Sequence, residues 1–355
     1  MKTPASDLAA AQWHVLGAGA MGCLWAVRLW QHPPLARRVA LLLRSAEEVE
    51  TYRRHGGVTL EEGWEKPLRE RDEVGAGLAR EQGQSEDVDD SRARPAPTSG
   101  PIPTPVPAAA VTDVGPPLSH LLVATKSQDV AAALHSVHAR LTPDTCIVLL
   151  QNGVRVQREI TDQYGADRVY CLSTSHGAWR RGPFHVVHAG QGTAWLGQLE
   201  GNNARALDAL QALLPATAMQ IDTDPHIARR LWQKFAVNCA VNALTVLYDC
   251  RNGELLKIPQ ARKDLDALTS EIEGLLNVLP EAPPLPDLQE SVAEVLRVAA
   301  RNFSSTLQDA RQGRATELAH LNGYLCELAT LHGLASPLNH ALLQRVASRS
   351  GLPAA

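Results

Sequence analysis

The chain of 355 residues is poor in aromatic side chains, which make up 4% of it, and it carries no excess of positive charge. Its 34 Lys and Arg residues stand against 38 Asp and Glu, giving a formal net charge of −4. Such a balance offers no general attraction for nucleic acid or for an anionic membrane surface. We therefore expect neither partner, and any anionic ligand has to be held by a local site.

Cysteine pairs and long apolar runs are also missing. The six cysteines form no Cys-x-x-Cys pair and have no histidine at the spacing of a zinc ligand, so the sequence predicts no disulfide framework and no metal site. No stretch approaches the roughly 18–20 apolar residues that span a bilayer, and the first residues lack the apolar core of a signal peptide. We expect a cytoplasmic protein with reduced thiols.

Length and composition predict two folded domains. Single domains cluster near roughly 100–200 residues, and a hydrophobic content of 45% is enough for two cores. Short apolar runs such as 38–44 and 145–153 alternate with amphipathic segments, whereas the chain beyond Asp224 has a helical pattern. We predict an α/β fold class, with an N-terminal Rossmann-type doubly wound sheet over residues 12–225 and a C-terminal all-helical domain over residues 226–350.

Two stretches of the predicted sheet domain depart from this alternation. Residues 69–117 contain acidic clusters and a run rich in Pro, Ala and Thr, with few large apolar side chains, and we expect a disordered insertion there. From residue 168 to 199, short β-rich runs separated by glycines predict hairpin-like strands that extend the sheet. A further strand is expected near residues 218–221.

The sequence GAGAMG at residues 17–22 follows the first predicted strand and opens the first predicted helix. In this context the glycine spacing predicts a dinucleotide site, because the glycines permit a tight turn beside a pyrophosphate and the helix N-terminus stabilises the anion. An incidental glycine turn is the alternative. The cofactor-binding residues predicted in this loop are Gly17, Ala18, Gly19, Ala20, Met21 and Gly22.

Polar residues at later strand ends extend the predicted cofactor site. At the position where an NAD enzyme places an acid for the ribose, 22 residues after Gly22, the chain has Arg44 followed by Ser45. A guanidinium beside a hydroxyl suits a 2′-phosphate and favours NADP(H), although a solvated surface arginine has the same sequence. Lys126 and Asn152 follow apolar strands at the edge where open α/β sheets bind ligands. Both are cofactor candidates, and the alternatives are an ordinary loop lysine and an Asn-Gly turn.

Lys234, Asn238 and Asn242 recur every four residues in an otherwise apolar segment, so they share one face of a predicted helix. A buried ammonium and two carboxamides are costly unless they satisfy one another or meet a polar ligand. Beside a dinucleotide domain we favour a substrate site over a structural network. Residues 302–305 and Glu317 form a further polar group that can hold a carboxylate or tune a lysine, although each residue alone is typical of a helix cap or a surface.

These residues together resemble the ketopantoate reductase (2-dehydropantoate 2-reductase) family. The helix with Lys-x3-Asn-x3-Asn and the run SSTLQD are the specific parts of the resemblance, whereas the glycine loop is shared with many other proteins. The matching segments occur in order along nearly the whole chain: VLGAGAMG at 15–22, LLR at 42–44, VATK at 123–126, QNG at 151–153, STSHGA at 173–178, LWQKFAVNCAVN at 231–242, CRNGE at 250–254, NFSSTLQD at 302–309, TE at 316–317 and LNG at 321–323.

The resemblance implies a two-domain enzyme that reduces ketopantoate to pantoate with NADPH, a step toward pantothenate and coenzyme A. It implies that Lys234 is the proton donor and that Ala178 and Glu317 join the cofactor-binding residues already named. The substrate-binding residues that it implies are Lys234, Asn238, Asn242, Asn252, Asn302, Phe303, Ser304 and Ser305. The expected partner is a small 2-keto acid, and the protein is expected to be a monomer or a homodimer.

The same residues leave two other functions open. The polar stripe at residues 234–242 does not distinguish ketopantoate from another branched 2-keto acid. A non-catalytic NADP(H)-sensing protein would keep the fold and use the stretch 69–117 as an interaction arm, but such a protein would have no need of Lys234 and its asparagines. Typical family members lack the acidic, Pro-rich insertion, so this stretch is where the chain departs from the family pattern.

Overall fold

The protein is described by a computed structural model over residues 12–35, 37–63, 101–201 and 203–350. The strands are β1 (Trp13–Leu16), β2 (Val39–Leu43), β3 (Thr59–Glu62), β4 (Ala108–Ala110), β5 (His120–Val123), β6 (Cys146–Leu149), β7 (Val169–Thr174), β8 (Gly177–Gly182), β9 (His185–Gly190), β10 (Ala194–Gly197) and β11 (Ile221–Thr223).

The helices are α1 (Ala20–Gln31), α2 (Ala46–His55), α3 (Val130–Ser136), α4 (Arg155–Tyr164), α5 (Ala204–Ala212), α6 (Ala216–Met219), α7 (Ile227–Tyr248), α8 (Pro259–Leu276), α9 (Leu288–Val298), α10 (Ser305–Arg311), α11 (Asn322–Leu331) and α12 (Pro337–Ser350). Short 3₁₀ turns lie at Pro33–Leu35, Ser127–Asp129, His138–Arg140, Asn252–Leu256 and Leu318–His320.

Within the described residues, eight strands form one sheet in the order β11-β10-β7-β6-β5-β1-β2-β4. Strands β7 to β4 in that order are parallel, and β10 runs antiparallel to β7. The chain moves outward from β1 in both directions, so the strand order reverses between β1 and β5. In open α/β sheets such a switch point opens a ligand crevice at the carboxyl ends of the strands.

Helix α7 is the centre of the C-terminal part, and α8, α9, α10 and α12 pack around it. Phe235 and Ala240 on this helix have no exposed surface. Because neighbours surround α7, it lacks the single apolar stripe of a surface helix, and its polar residues are exceptions on a buried element. The predicted α/β fold class, with a Rossmann-type sheet followed by helices, is confirmed. The domain bounds 12–225 and 226–350 stay a prediction.

The prediction that residues 69–117 form a disordered insertion is wrong for residues 101–117. Its first part, up to residue 100, lies outside the described residues, but β4 pairs with β2 in parallel and closes one edge of the main sheet. Val58 forms a β-bridge with Thr104, and the Tyr52 hydroxyl donates a hydrogen bond to the Val106 carbonyl at 2.7 Å. The alanines of β4 have a low β propensity, but their small side chains are buried and pack closely. Their burial favours the strand more than their composition disfavours it.

The strands predicted between residues 168 and 199 exist, but they do not all extend the main sheet. Strands β7 and β10 belong to it, whereas β8 and β9 join β3 in a separate three-stranded sheet, in the order β3-β9-β8, that lies against α1. The apolar alternation marks a strand without identifying its partner, which is why sequence could not separate the two sheets. The strand predicted near 218–221 is the single turn α6 followed by β11.

We predict that Tyr52→Phe lowers the free energy of unfolding by about 1–2 kcal/mol, because it leaves the Val106 carbonyl without its donor. Denaturant titration followed by circular dichroism measures the change. Tyr164→Phe is the matched control, because the Tyr164 hydroxyl has no hydrogen bond among the described residues, and it should stay within about 0.5 kcal/mol of wild type. Equal losses in the two variants would show that this hydrogen bond does not stabilise the segment around Val106.

Candidate active site

The glycine loop between β1 and α1 is shaped by contacts that exclude side chains. Gly17 has a positive φ of 105°, and a Cβ there would lie 2.9 Å from Thr125 Cγ2. A Cβ on Gly22 would lie 1.9 Å from the Gly17 carbonyl oxygen, so Gly22 lets α1 pack directly on the turn. At Gly19 the nearest atom would be 3.8 Å away, and this N-cap residue of α1 has no side-chain cap. The loop therefore has space on the side where a pyrophosphate would meet the helix N-terminus.

Arg44 lies directly after β2 and is exposed, and its guanidinium has no hydrogen-bond partner among the described residues. Its backbone N–H donates to Glu48 Oε2 at 2.9 Å. The Ser45 hydroxyl accepts a hydrogen bond from the Glu48 N–H at 3.2 Å and caps α2. The arginine is thus available for an anionic ligand, while its neighbouring hydroxyl already caps the helix, and the role predicted for Arg44 at the cofactor stays a prediction.

Lys126, predicted at the cofactor, contacts the helical part of the protein. Its amine forms an ion pair with Asp309 Oδ2 at 2.7 Å and also donates to the Ala315 carbonyl. Asp309 lies on α10 and pairs in addition with Arg314. This salt bridge joins the carboxyl end of β5 to the C-terminal helices, and sequence analysis did not identify Asp309.

Glu317 joins the two parts of the protein at the carboxyl ends of β5 and β6. One carboxylate oxygen accepts hydrogen bonds from the Ser127 N–H at 3.0 Å and hydroxyl at 2.7 Å, and the other accepts from Asn152 Nδ2 at 3.3 Å. The Ser127 hydroxyl also lies 3.2 Å from the Asn152 carbonyl. Two predicted residues, Asn152 and Glu317, therefore meet, and Ser127 completes the group. No sequence pattern marked Ser127.

Lys234 on α7 reaches the end of β7, where its amine donates to the Thr174 carbonyl at 2.8 Å. Protein surrounds the side chain, which keeps only partial contact with solvent. Burial lowers the pKa of Lys234 to about 8, and the negative charge of Glu317 opposes part of that shift. A lysine that titrates near neutral pH and still has free N–H donors is suited to exchange a proton with a ligand.

Asn238 and Asn242 lie one and two turns further along the same face of α7. Their side-chain amides have no hydrogen-bond partner within the described parts of the chain, although Asn242 is only 7% exposed. Asn252, in the turn after α7, is also buried, and its Oδ1 atom has no partner among those residues. Its backbone N–H donates to the Asn302 carbonyl at 3.0 Å. Buried amides without partners are costly, so Asn242 and Asn252 are available to a polar ligand, and the half-buried Asn238 lies one turn from Asn242 on the same helix face.

Residues 302–305 separate into different environments. Ser304 caps α10 by accepting a hydrogen bond from the Leu307 N–H at 3.0 Å, and its hydroxyl also lies 2.6 Å from that of Thr245. Asn302 and Ser305 are exposed, and the Ser305 hydroxyl has no partner among the described residues. Phe303 lies between two guanidinium groups, those of Arg251 and Arg311, at 4.4 and 4.3 Å. Ser304 is therefore bound within the protein, whereas Ser305 is available to a ligand.

The remaining predicted residue, Ala178, lies on β8 and packs against the hydrophobic cluster that also contacts Ala18, Ala20 and Met21 of the glycine loop. Among the described residues, no group of three or more His, Cys, Asp or Glu side chains is placed to hold a metal ion. In the same part of the chain, no helix combines the length and the apolar character that crossing a membrane requires.

Two glycine variants separate folding from cofactor binding. Gly22→Ala should destabilise the protein by about 1–3 kcal/mol or more, because its methyl group would overlap the Gly17 carbonyl. Gly19→Ala should leave the free energy of unfolding nearly unchanged, because its methyl group would lie no closer than 3.8 Å to its nearest neighbour, the Ala124 carbonyl oxygen. The same variant should weaken dinucleotide binding about tenfold or more, because the methyl group would occupy space proposed for the pyrophosphate. Denaturant titration and NADPH fluorescence titration measure the two effects. Unchanged NADPH affinity in Gly19→Ala would mean that the cofactor does not approach this glycine.

Comparison with known proteins gives the same assignment for two segments that together make up most of the chain. The family model described as ketopantoate reductase PanE/ApbA matches residues 13–201, and its C-terminal counterpart matches residues 226–350. The 2-dehydropantoate 2-reductase of Vibrio cholerae serotype O1 is 30% identical over 226 residues, which cover 64% of this chain and 76% of that protein. The enzyme of the same name from Escherichia coli O157:H7 is 33% identical over 229 residues, covering 64% of this chain and 72% of its own.

Solved structures share the fold at lower identity. The ternary structure of D-mandelate dehydrogenase with NADH and anilino(oxo)acetate has a TM-score of 0.76 at 20% identity, covering 96% of this chain and 98% of that one. A PanE/ApbA family ketopantoate reductase from Ralstonia eutropha has a TM-score of 0.73, also at 20% identity and with the same coverage. The chain therefore belongs to the ketopantoate reductase family, whose members are NADP-dependent oxidoreductases.

Proposed function

We propose that this protein reduces 2-dehydropantoate (ketopantoate) to pantoate with NADPH, in the cytoplasm, as a step in the synthesis of pantothenate and coenzyme A. The observation that carries the proposal is the arrangement on α7. There a partly desolvated amine, Lys234, lies at the carboxyl edge of the sheet, and behind it on the same face are the amides of Asn238 and Asn242, which have no hydrogen-bond partner in the described part of the chain.

The glycine loop and Arg44 fit the cofactor. The space beside Gly19 accepts a pyrophosphate at the N-terminus of α1, and the unpartnered guanidinium of Arg44 suits a 2′-phosphate. NADPH supplies the hydride when it is bound. All other steps fall to side chains of this chain, which bind the keto acid, orient its carbonyl and provide the proton.

Lys234 acts as the general acid. As the keto carbon is reduced, negative charge develops on its oxygen, and an ammonium at hydrogen-bond distance stabilises that charge and then delivers the proton. The Thr174 carbonyl accepts one of the three lysine N–H donors and fixes the direction of the amine, which leaves two donors for the substrate. A pKa near 8 makes the proton easier to transfer than that of an ordinary lysine.

The amides along α7 hold the rest of the substrate. Asn238 and Asn242 can each donate and accept, which suits a hydroxyl group, and the buried Oδ1 of Asn252 requires a donor such as that hydroxyl. The free hydroxyl of Ser305 is suited to the carboxylate. Ser304, in contrast, acts as a helix cap that places Ser305 at the start of α10.

Glu317 and Asp309 are positioning residues in this proposal. Through Ser127, Asn152 and Lys126 they join the ends of β5 and β6 to the helices, so that Lys234 faces the strand ends. Since the cofactor loop belongs to the sheet and the general acid to the helices, turnover depends on the two parts closing on each other.

The substrate assay tests the proposal directly. Oxidation of NADPH should be fastest with ketopantoate when it is compared with pyruvate, 2-ketoisovalerate and 2-ketoisocaproate. An aromatic 2-oxo acid belongs in the panel because the structurally similar D-mandelate dehydrogenase was solved with anilino(oxo)acetate. Faster turnover of another 2-keto acid would replace ketopantoate as the substrate, and NADPH binding without turnover of any of them would indicate a sensing protein.

In the same assay Lys234→Ala should lower kcat for ketopantoate by about 10²- to 10⁴-fold, since the general acid is lost. The dissociation constant for NADPH should change by less than about threefold, because the proposed contacts of Lys234 are with the substrate. Stopped-flow turnover and fluorescence titration measure the two quantities. A kcat within a few-fold of wild type would remove Lys234 from the mechanism.

The pH profile tests the coupling between Lys234 and Glu317. For reduction, kcat/KM should fall as pH rises through about 8, where Lys234 loses its proton. Glu317→Gln removes the charge that raises this pKa, so the falling limb should move to lower pH. Glu327→Gln is the control, because Glu327 is paired with Arg155 instead and should leave the limb in place. An unmoved limb in Glu317→Gln would contradict the coupling.

A further inference from the structure

A second arginine is directed toward the cofactor loop from the small sheet. Arg180 lies on β8, opposite Val186 of β9, and Ala178 two residues earlier is opposite His188. Because side chains alternate along a strand, Ala178 and Arg180 share one face of β8. That face lies against α1, since Ala178 and Val186 belong to the cluster that packs on the helix.

Arg180 has no compensating contact in its half-buried position. Its guanidinium forms no hydrogen bond, ion pair or ring contact among the described residues. The next residue, Arg181, is different, because it is exposed, pairs with Glu61 at 2.6 Å and stacks on Trp179 at 5.5 Å. Partial burial of an unpaired cation is costly, which points to an anion that is bound in the working state of the protein.

The electrostatics of Cys23 show where the charge of Arg180 acts. The Cys23 thiol lies in the first turn of α1 and donates to the Ala18 carbonyl at 3.4 Å. Burial raises the pKa of Cys23 to about 12, while Arg180 lowers it and Glu48 raises it. Arg180 and Glu48 are therefore both close to the first turn of α1. Glu48 in turn accepts a hydrogen bond from the backbone N–H of Arg44, so Glu48 connects the neighbourhood of Arg180 to the end of β2, where Arg44 lies.

We propose that Arg180 binds the 2′-phosphate of NADP(H) together with Arg44, which makes it a further residue that determines cofactor specificity. The pyrophosphate is served by the N–H groups at the start of α1, whereas Arg180 and Glu48 both act on Cys23 in its first turn, and Glu48 is bonded to Arg44 at the end of β2, where the ribose is expected. Because Glu48 is negatively charged, a phosphate dianion bound near it requires more than one cation. This inference rests on the proposed use of NADPH.

Direct binding to the full-length protein without ligands tests the assignment. Fluorescence titration gives dissociation constants for NADPH and NADH, and calorimetry gives the constant for adenosine 2′,5′-bisphosphate, which carries the 2′-phosphate without the nicotinamide. Arg180→Gln should weaken NADPH and the bisphosphate by about 10- to 100-fold and NADH by less than about twofold. Arg44→Gln should give the same pattern. Arg181→Gln, the matched control, should bind both dinucleotides like wild type.

Thermal unfolding shows that any loss is not a folding defect. Without ligand, Arg180→Gln should unfold at the same temperature as wild type or a higher one, since the variant removes an unpaired charge. The increase in Tm on adding NADPH should be smaller than in wild type. Arg180→Lys should recover part of the NADPH affinity, because the charge is kept while the planar fork is lost.

The outcomes separate the two proposals. Equal weakening of NADPH and NADH in Arg180→Gln would assign the arginine to the pyrophosphate and overturn the inference, as would unchanged NADPH affinity. If the wild-type protein bound NADH as tightly as NADPH, the proposed use of NADPH would itself fail, and the inference with it. A wild-type preference for NADPH that survives Arg180→Gln would overturn only the inference.

Discussion

The amine of Lys234 is buried, which disfavours its charged form, and neighbouring groups of the site offset that effect. Burial lowers its pKa, and the carboxylate of Glu317 counteracts the effect without touching the amine. Among the residues that the structure describes, the Thr174 carbonyl is the hydrogen-bond acceptor that holds the amine in place. The result is an amine whose pKa is lowered to about 8 and that still carries its proton near neutral pH, which suits the role of general acid that we propose for it.

The groups around Lys234 also connect the sheet to the helical part of the protein. The sheet provides the strand ends and the glycine loop, and the helices provide Lys234, Glu317 and Asp309. Their polar contacts lie at the carboxyl ends of β5 and β6, while Cys171 of β7 packs in the apolar cluster around α7. Glu317, which accepts hydrogen bonds from Ser127 and Asn152, is also the group whose charge raises the pKa of Lys234, so a rearrangement at this point would change both the geometry and the proton affinity of the site.

Much of this could be predicted from sequence, because the strongest signals are local. The glycine spacing at residues 17–22 predicts a turn that opens a helix, which is where α1 begins, and the four-residue spacing from Lys234 to Asn242 places three side chains on one helix face. The partners could not be predicted. The Thr174 carbonyl belongs to the backbone and has no sequence signature, and Ser127 and Asp309 acquire their roles only through long-range contacts. The strand β4 was missed because its alanines are held by packing and not by propensity.

The pairing of Val58 with Thr104 has a consequence for how such a chain can change in length. The β-bridge holds the backbone of Val58 next to that of Thr104, and the 37 residues 64–100 lie between these two positions in the sequence. A longer loop between them costs little additional loop-closure free energy, since each doubling of the loop length adds only about 0.6 kcal/mol. A change in the number of residues between these two anchors therefore costs little in loop-closure free energy as long as the bridge between Val58 and Thr104 is kept.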